Sequence, residues 1–270
     1  MRHALLQLLR CPRCRRGPLH PESPAPVVLF GPLRCPECRA SHPVAEGVAD
    51  LVVTPTSSGA VQRGLENRWV ARSYERYVRP ALQRALARRP LDGDSEYLLY
   101  RSLLGQPDGP VLDVGCGTGL VARRLAREPD FPPVAGMDVS PAMLEEGVAQ
   151  AREAGATVDF LRADAPYLPF QDASLGAVLM ADTLPFVEDL GRLLLEVARV
   201  LRPGGRWVAS TYAPPGLARG LLHRRLGLHP RAEDALRAEV AAAGLVRFER
   251  VALSPVFVVK AEKGSARTPR

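Results

Sequence analysis

The sequence predicts an α/β protein: a Rossmann-like, mostly parallel seven-stranded sheet preceded by a β-rich zinc ribbon. Three observations carry that expectation. Strand and helix patterns alternate from residue 110 onward, as in a sheet covered by helices on both faces. A glycine-rich turn, Gly115-Cys-Gly-Thr-Gly119, follows the first of those strands. Two Cys-x-x-Cys pairs, Cys11/Cys14 and Cys35/Cys38, stand near the N-terminus.

Ala4 to Leu9 reads as a short helix, Val27 to Phe30 as a strand, Leu33 to Cys35 as its return, and the stretch from His42 to Val53 as a turn and last strand. Thr54-Pro-Thr-Ser-Ser-Gly59 is a linker by composition. Leu65 to Arg89 reads as a helix bearing Trp69, Tyr74 and Tyr77, and Ser95 to Leu104 as another. Strands are expected at Pro110–Val114, Val134–Met137, Val158–Leu161, Leu175–Met180 and Arg206–Ser210, with a final pair at Val246–Val251 and Val256–Lys260. Helices fall between them at Leu120–Arg127, after Ser140 as N-cap and Pro141 as first residue, at Leu190–Leu201 and at Arg231–Ala243, which Gly244 stops. The expected organisation is a ribbon over 1–56, a helical linker or lid over 57–104, a cofactor domain over 105–264 and a disordered tail over 265–270.

Composition narrows the class. With 46% hydrophobic and 24% charged residues in 270, disorder of the whole chain is excluded. The apolar runs, such as Leu175 to Ala181, fall far short of the ~20 residues a bilayer requires. The opening apolar stretch is interrupted by Gln7, and Arg10 stands directly before Cys11, so a cleaved leader is not expected and a cytoplasmic location is. Charge is uneven: residues 102–201 hold 7 basic and 15 acidic side chains, whereas 202–270 hold 13 and 5. Of the 36 basic residues only Lys260 and Lys263 are lysine, which points to coding bias more than to a nucleic-acid partner.

The cysteine spacing has its own chemistry. Each Cys-x-x-Cys turn lets two thiolates grip one ion, and Cys11, Cys14, Cys35 and Cys38 together complete a tetrahedron around Zn(2+). Such a closed site is structural, with no position left for water or substrate. Two disulfides or a redox pair compete; a reducing compartment disfavours the first, and the second needs only one pair. His42 is a substitute ligand or an ordinary loop histidine. Some 55 residues are too few for a self-sufficient core, so the metal is expected to be the ribbon's staple, its removal unfolding the ribbon alone.

The glycine turn lets a ligand lie against bare backbone, and Asp138, about 20 residues on, stands where a carboxylate accepts both hydroxyls of a ribose. The spacing Gly-x-Gly-x-Gly differs from the Gly-x-Gly-x-x-Gly of dinucleotide folds and suits a nucleoside lacking phosphates. Here a resemblance enters. Val111-Leu-Asp-Val-Gly-Cys-Gly-Thr-Gly119, Met137-Asp-Val-Ser-Pro-Ala-Met-Leu144, Arg162-Ala-Asp-Ala165 with Leu168-Pro-Phe170, Leu175 to Asp182, and Val200 to Val208 resemble, in order, the motifs of class I S-adenosyl-L-methionine-dependent methyltransferases. The similarity is nearest to the ubiquinone/menaquinone-biosynthesis branch.

The resemblance implies roles. Gly115, Gly117 and Gly119 would line the methionine end, with Asp113 beneath the loop near the amino group; Asp138 would hold the ribose hydroxyls, Asp164 and Ala165 would meet the adenine, and Val139 and Ala181 would also belong to the cofactor site. Cys116 reads as a packing residue. The ribbon is similar to those of methyltransferase activator subunits and of 23S rRNA guanine-N1 methyltransferases, whose second ligand pair is spaced differently. Quinone-type relatives often carry a histidine pair after the fourth strand, where this chain has Leu184-Pro-Phe186. No general base is therefore assigned; Asp182, Tyr212 and His223 are weak candidates near the expected acceptor mouth. Three functions stay open: methyl transfer to a small or lipophilic acceptor, which the downstream motifs favour; transfer to RNA; and a non-catalytic module that binds S-adenosyl-L-methionine or activates a partner. Oligomeric state is not legible.

Overall fold

The computed structural model describes residues 1–22, 25–53, 60–86, 92–214, 221, 223–253 and 256–264. The linker over 54–59, the end of the expected helix at 87–89 and the tail over 265–270 lie outside the described residues.

Helix α1 (His3–Leu6) leads into the first cysteine pair, and β1 (His20–Pro21), β2 (Gly31–Arg34), β3 (Ser41–Ala45) and β4 (Val48–Asp50) form an antiparallel meander. No strand forms over Val27–Phe30. Val27 makes only an isolated bridge to Arg2, and the chain's first residue captures Val28, whose amide donates to the Met1 carbonyl at 2.8 Å. The hairpin is β2–β3 instead, with Cys35 and Cys38 in its turn. Glu46 and Gly47 turn β3 into β4 with φ of 50° and 84°, the left-handed pair that a two-residue hairpin loop requires.

The single helix expected after residue 65 is broken into pieces: α2 (Ala60–Leu65), α3 (Arg68–Ser73), a π-helical turn at Tyr74–Val78, and α4 (Arg79–Leu86). Asn67 causes the first break, since its side-chain oxygen accepts the Trp69 amide at 2.8 Å and restarts the helix. Helix α5 (Gly93–Leu104) follows, capped by Asp92.

The remainder alternates as expected: β5 (Val111–Val114), α6 (Leu120–Leu125), β6 (Val134–Asp138), α7 (Pro141–Glu153), β7 (Val158–Arg162), β8 (Leu175–Met180), α8 (Leu190–Val200), β9 (Leu201–Tyr212), α9 (Glu233–Ala242), β10 (Leu245–Ala252) and β11 (Val256–Lys263). Strand β9 begins earlier than read from sequence, taking in Pro203-Gly-Gly205. The Rossmann-like sheet is there, with β7-β6-β5-β8-β9 parallel and β11 antiparallel between β9 and β10. Its strand order reverses beside β5, which opens a crevice at the carboxyl ends of β5, β6 and β8.

The sheet does not stop at β7. Strand β4 pairs with β7 in parallel, so the ribbon extends it to eleven strands. A second seam runs nearby: the Arg10 amide donates to the Pro169 carbonyl at 3.0 Å, and the Gln171 amide to the Leu8 carbonyl at 2.8 Å. Arg2 adds an ion pair to buried Asp159 at 2.7 Å. Leu6, Leu9, Leu33 and Leu51 of the N-terminal segment share one buried cluster with Leu161, Phe170, Leu193 and Trp207. Among the described residues, no helix is long and apolar enough to cross a membrane.

This shared core makes a prediction that separable units would not. Leu9 is fully buried, and Leu9→Ala should destabilise by about 2–5 kcal/mol. In a Trp69→Phe background the fluorescence of buried Trp207, far along the sheet in β9, should report that loss as a lowered urea midpoint. An unmoved Trp207 midpoint would mean that the ribbon and the sheet unfold independently.

Candidate active site and metal centre

The crevice is shaped first by the turn after β5. Gly115, Gly117 and Gly119 sit at φ of 68°, 56° and 78°, where side chains are strained. A Cβ on Gly115 would lie 2.3 Å from the Thr183 side chain, and one on Gly119 would lie 2.9 Å from the Phe160 ring. The Gly115 and Cys116 amides both donate to the Met137 carbonyl, at 2.7 and 3.0 Å, and so hold the turn against β6. Burial pushes the Cys116 thiol well up, consistent with a packing residue.

Asp138 ends β6. One carboxylate oxygen accepts the Gly117 amide at 2.8 Å and the other the Ser140 amide at 2.9 Å. Burial raises its pKa while those amides oppose the shift. The Ala163 amide donates to the Asp138 carbonyl at 3.2 Å, which brings the segment after β7 alongside, and burial likewise raises Asp164. Asp113 lies beneath, 2% exposed, with one carboxylate oxygen lacking any partner. Burial, reinforced by the Asp138 carboxylate, pushes it up to about 8.

These loops enclose a cavity of about 590 Å³. Gly115, Gly117, Asp138, Val139, Asp164, Ala165 and Ala181 line it; Asp113 and Gly119 do not, the first being buried below and the second packed on Phe160. Asp182 also lines it, but both its oxygens are engaged: one by Arg79 at 3.0 Å and Gln83 at 3.1 Å, the other by the Ser210 hydroxyl at 3.1 Å. Arg79 simultaneously grips Glu96 at 2.8 Å, which ties α4 and α5 to the end of β8. Tyr212 and His223 are hydrogen-bonded to each other at 3.2 Å and stand outside the lining. Residues that the sequence did not single out for the cavity complete it: Leu65 and Tyr74 from α2 and the π-turn, Thr183 and Phe186 after β8, and Arg224 and His229 beyond β9. Only Tyr74 and Phe186 left a trace in the sequence, the first as an aromatic in the helix and the second at the site of a missing histidine.

The four cysteines converge. The sulfurs of Cys11, Cys14, Cys35 and Cys38 lie within 4.8 Å of one another and could hold a metal ion. Backbone amides are aimed at the sulfurs: that of Arg16 lowers Cys14 to about 6, whereas burial pushes Cys11 up to about 12 against the amides of Cys14 and Arg13. An all-sulfur tetrahedral set is the chemistry of structural zinc. His42 is neither a ligand in this group nor a loop residue. It is buried on β3 with Nε2 3.7 Å from the Cys11 sulfur, the place of an outer-shell partner.

A family model described as a methyltransferase domain matches residues 111–205. The chain is 43% identical over 107 residues to a ubiquinone/menaquinone biosynthesis C-methyltransferase of Desulfotalea psychrophila, covering 40% of this chain and 43% of that protein. It thus spans less than half the length of that relative. Among solved structures, the phosphoethanolamine N-methyltransferase 2 of Haemonchus contortus in complex with S-adenosylhomocysteine has a TM-score of 0.58 at 17% identity, covering 63% of this chain and 53% of its own. A complex between the Haloferax volcanii Trm112 methyltransferase activator and a methyltransferase matches with a TM-score of 0.56 at 18% identity, covering 72% of this chain and 98% of the matched one. At such identities both likenesses speak for the fold alone.

Two outcomes follow from the site. The protein should hold one zinc per chain by elemental analysis, and Cys35→Ser should lose it; full retention would contradict a four-sulfur centre. For Asp113, the folded state keeps a proton that the unfolded chain has already released above the ordinary carboxylate range. Stability is therefore lost as pH rises toward about 8. Asp113→Asn should raise the melting temperature at pH 8.5 by more than at pH 5, and an equal change at both would remove Asp113 as the cause.

Proposed function

We propose that the chain is an S-adenosyl-L-methionine-dependent methyltransferase (EC 2.1.1.-) acting on a small or lipophilic acceptor. The observation that carries this is the methyltransferase domain wrapped around one cavity that holds bare glycine backbone at one end and apolar and charged side chains beyond β8 and β9 at the other. Small-molecule transfer is further supported by the quinone-pathway relative. In this reading residues 1–56 are the zinc ribbon, 57–104 a helical lid and 105–264 the catalytic domain, and thiols free of disulfides fit a cytoplasmic setting.

The residues present fit the cofactor. The Gly117 backbone faces open cavity on its Cβ side, 3.6 Å from Tyr74, so that a flat or flexible ligand can lie against it. The unpartnered oxygen of Asp113 is a carboxylate beneath the turn at the end where a cationic amino group would sit. Asp138 would accept the ribose hydroxyls through lone pairs its two amides leave free, with Val139 beside it; Asp164 and the Ala165 amide would read the adenine edge. When bound, S-adenosyl-L-methionine supplies a methyl group on a sulfonium, an electrophile that needs no further activation. The protein's part is then alignment and exclusion of water. Tyr74 and Phe186 would wall the acceptor side, and the Arg79–Asp182–Ser210 network would fix the lid over the end of β8. With both its oxygens engaged, Asp182 suits a positioning role, and an acceptor that has already lost its proton would need no general base.

RNA as acceptor is favoured by one local feature. Tyr167 lies between the guanidinium groups of Arg15 and Arg192, 4.7 and 4.1 Å from its ring, on the face next to the first cysteine pair. The test is transfer of radiolabelled methyl into a whole-cell extract, followed by partition of the label. Label in the organic or small-molecule fraction is expected, with Asp138→Asn lowering it by about tenfold or more. RNase-releasable label would replace the small acceptor by RNA, and no label in any fraction would leave the non-catalytic module.

A further inference from the structure

The segment that follows β7 crosses the cavity wall at Asp164 and Ala165. It is held from outside at Leu168 and Phe170 by Glu196 and Arg199 of α8, and at both of its ends by the ribbon. At its start the Leu51 amide donates to the Arg162 carbonyl at 2.8 Å, and Asp50 and Arg162 face each other across the β4–β7 ladder. Their side chains pair at 2.8 Å. The same guanidinium donates through Nε to the Val139 carbonyl at 3.0 Å, and Val139 directly follows Asp138 on the opposite lip of the cavity. Arg162 therefore joins the two loops that the reading above assigns to ribose and adenine. At the far end of the segment, Arg10 and Leu8 bind Pro169 and Gln171, and Arg15 stacks on Tyr167.

We propose that the zinc ribbon builds the adenosine side of the cofactor site, and that Asp50 and Arg162 are the positioning residues that transmit its hold to Val139, Asp138 and Asp164. The metal centre shapes cofactor affinity without touching the cofactor. Arg162 needs a partner for this task. Its side chain must point back along the sheet edge to reach Val139, and without Asp50 the guanidinium is free to turn toward water.

This inference rests on the reading of the cavity as a nucleoside cofactor site, so the experiment must separate the two. Calorimetric titration of S-adenosylhomocysteine into the zinc-loaded full chain serves. If the wild-type protein takes up none, the cofactor reading fails and this one with it. If it binds, Asp50→Asn should weaken the affinity about fivefold, with zinc content and melting temperature unchanged. Arg162→Met should weaken it at least as much, and the double variant should be no worse than Arg162→Met alone, because Asp50 acts only through Arg162. Asp50→Glu, which keeps the carboxylate, should recover most of the loss. Wild-type affinity in Asp50→Asn, or losses that simply add in the double variant, would overturn the proposal. Should Asp50→Asn not fold, Arg162→Lys decides: it keeps a charge for Asp50 but drops the nitrogen that reaches Val139, and wild-type affinity there would equally refute it.

Discussion

The pairing of three-residue β4 with β7 is the interaction on which the rest of the structure depends. Without it β7 would be an open edge, with unpaired amides and carbonyls exposed beside the cofactor crevice. With it, a ribbon too small to bury its own leucines borrows the core of a larger domain, and Leu6, Leu9, Leu33 and Leu51 pack into one cluster with the sheet. The pairing is parallel and joins residues about 112 positions apart, so it forms only once both partners are correctly built. A metal that orders the two knuckles therefore acts on more than its own loops.

At the other side of the crevice the constraint is steric. The turn after β5 packs its glycines so tightly against Thr183 and Phe160 that side chains are excluded from within, and the left-handed backbone excludes them again. Thr183 repays the closeness by donating its hydroxyl to the Gly115 carbonyl at 3.1 Å, which couples the loop after β8 to the loop after β5. Helix α4 is bound to the same place through Arg79 and Asp182, and Glu75 reaches Thr118 and Arg123 across the turn. Two loops and the helices that precede β5 are thus fastened to one another by polar contacts of their side chains, above strands held by backbone ladders and apolar packing.

Much of this was legible in the sequence, and the parts that were not have a common cause. The seven central strands, the glycine turn, Asp138 and the four cysteines announce themselves through local composition and spacing, and the structure gathers them as expected. Val27–Phe30 has the composition of a strand, yet Met1 takes the place a second strand would need, which no local pattern reveals. The helix after residue 65 reads as continuous because nothing in its hydrophobic period marks the cap at Asn67 or the π-turn at Tyr74. Arg224 and His229 reach the cavity from a segment without any motif, and His42 and Asp50 acquire meaning only beside Cys11 and Arg162. Residues whose role is set by partners far along the chain are invisible to spacing rules.

Hydrogen–deuterium exchange on the zinc-loaded chain, before and after chelation, tests most directly whether the ribbon and the cofactor loops are one structure. Removal of the metal should release amides of 49–51 together with those of 161–162 and Gln171, because these lie on the two backbone seams between ribbon and sheet. Loss of protection confined to residues 1–53, with 161–171 as slow as before, would show that the sheet holds its side of the crevice without the ribbon.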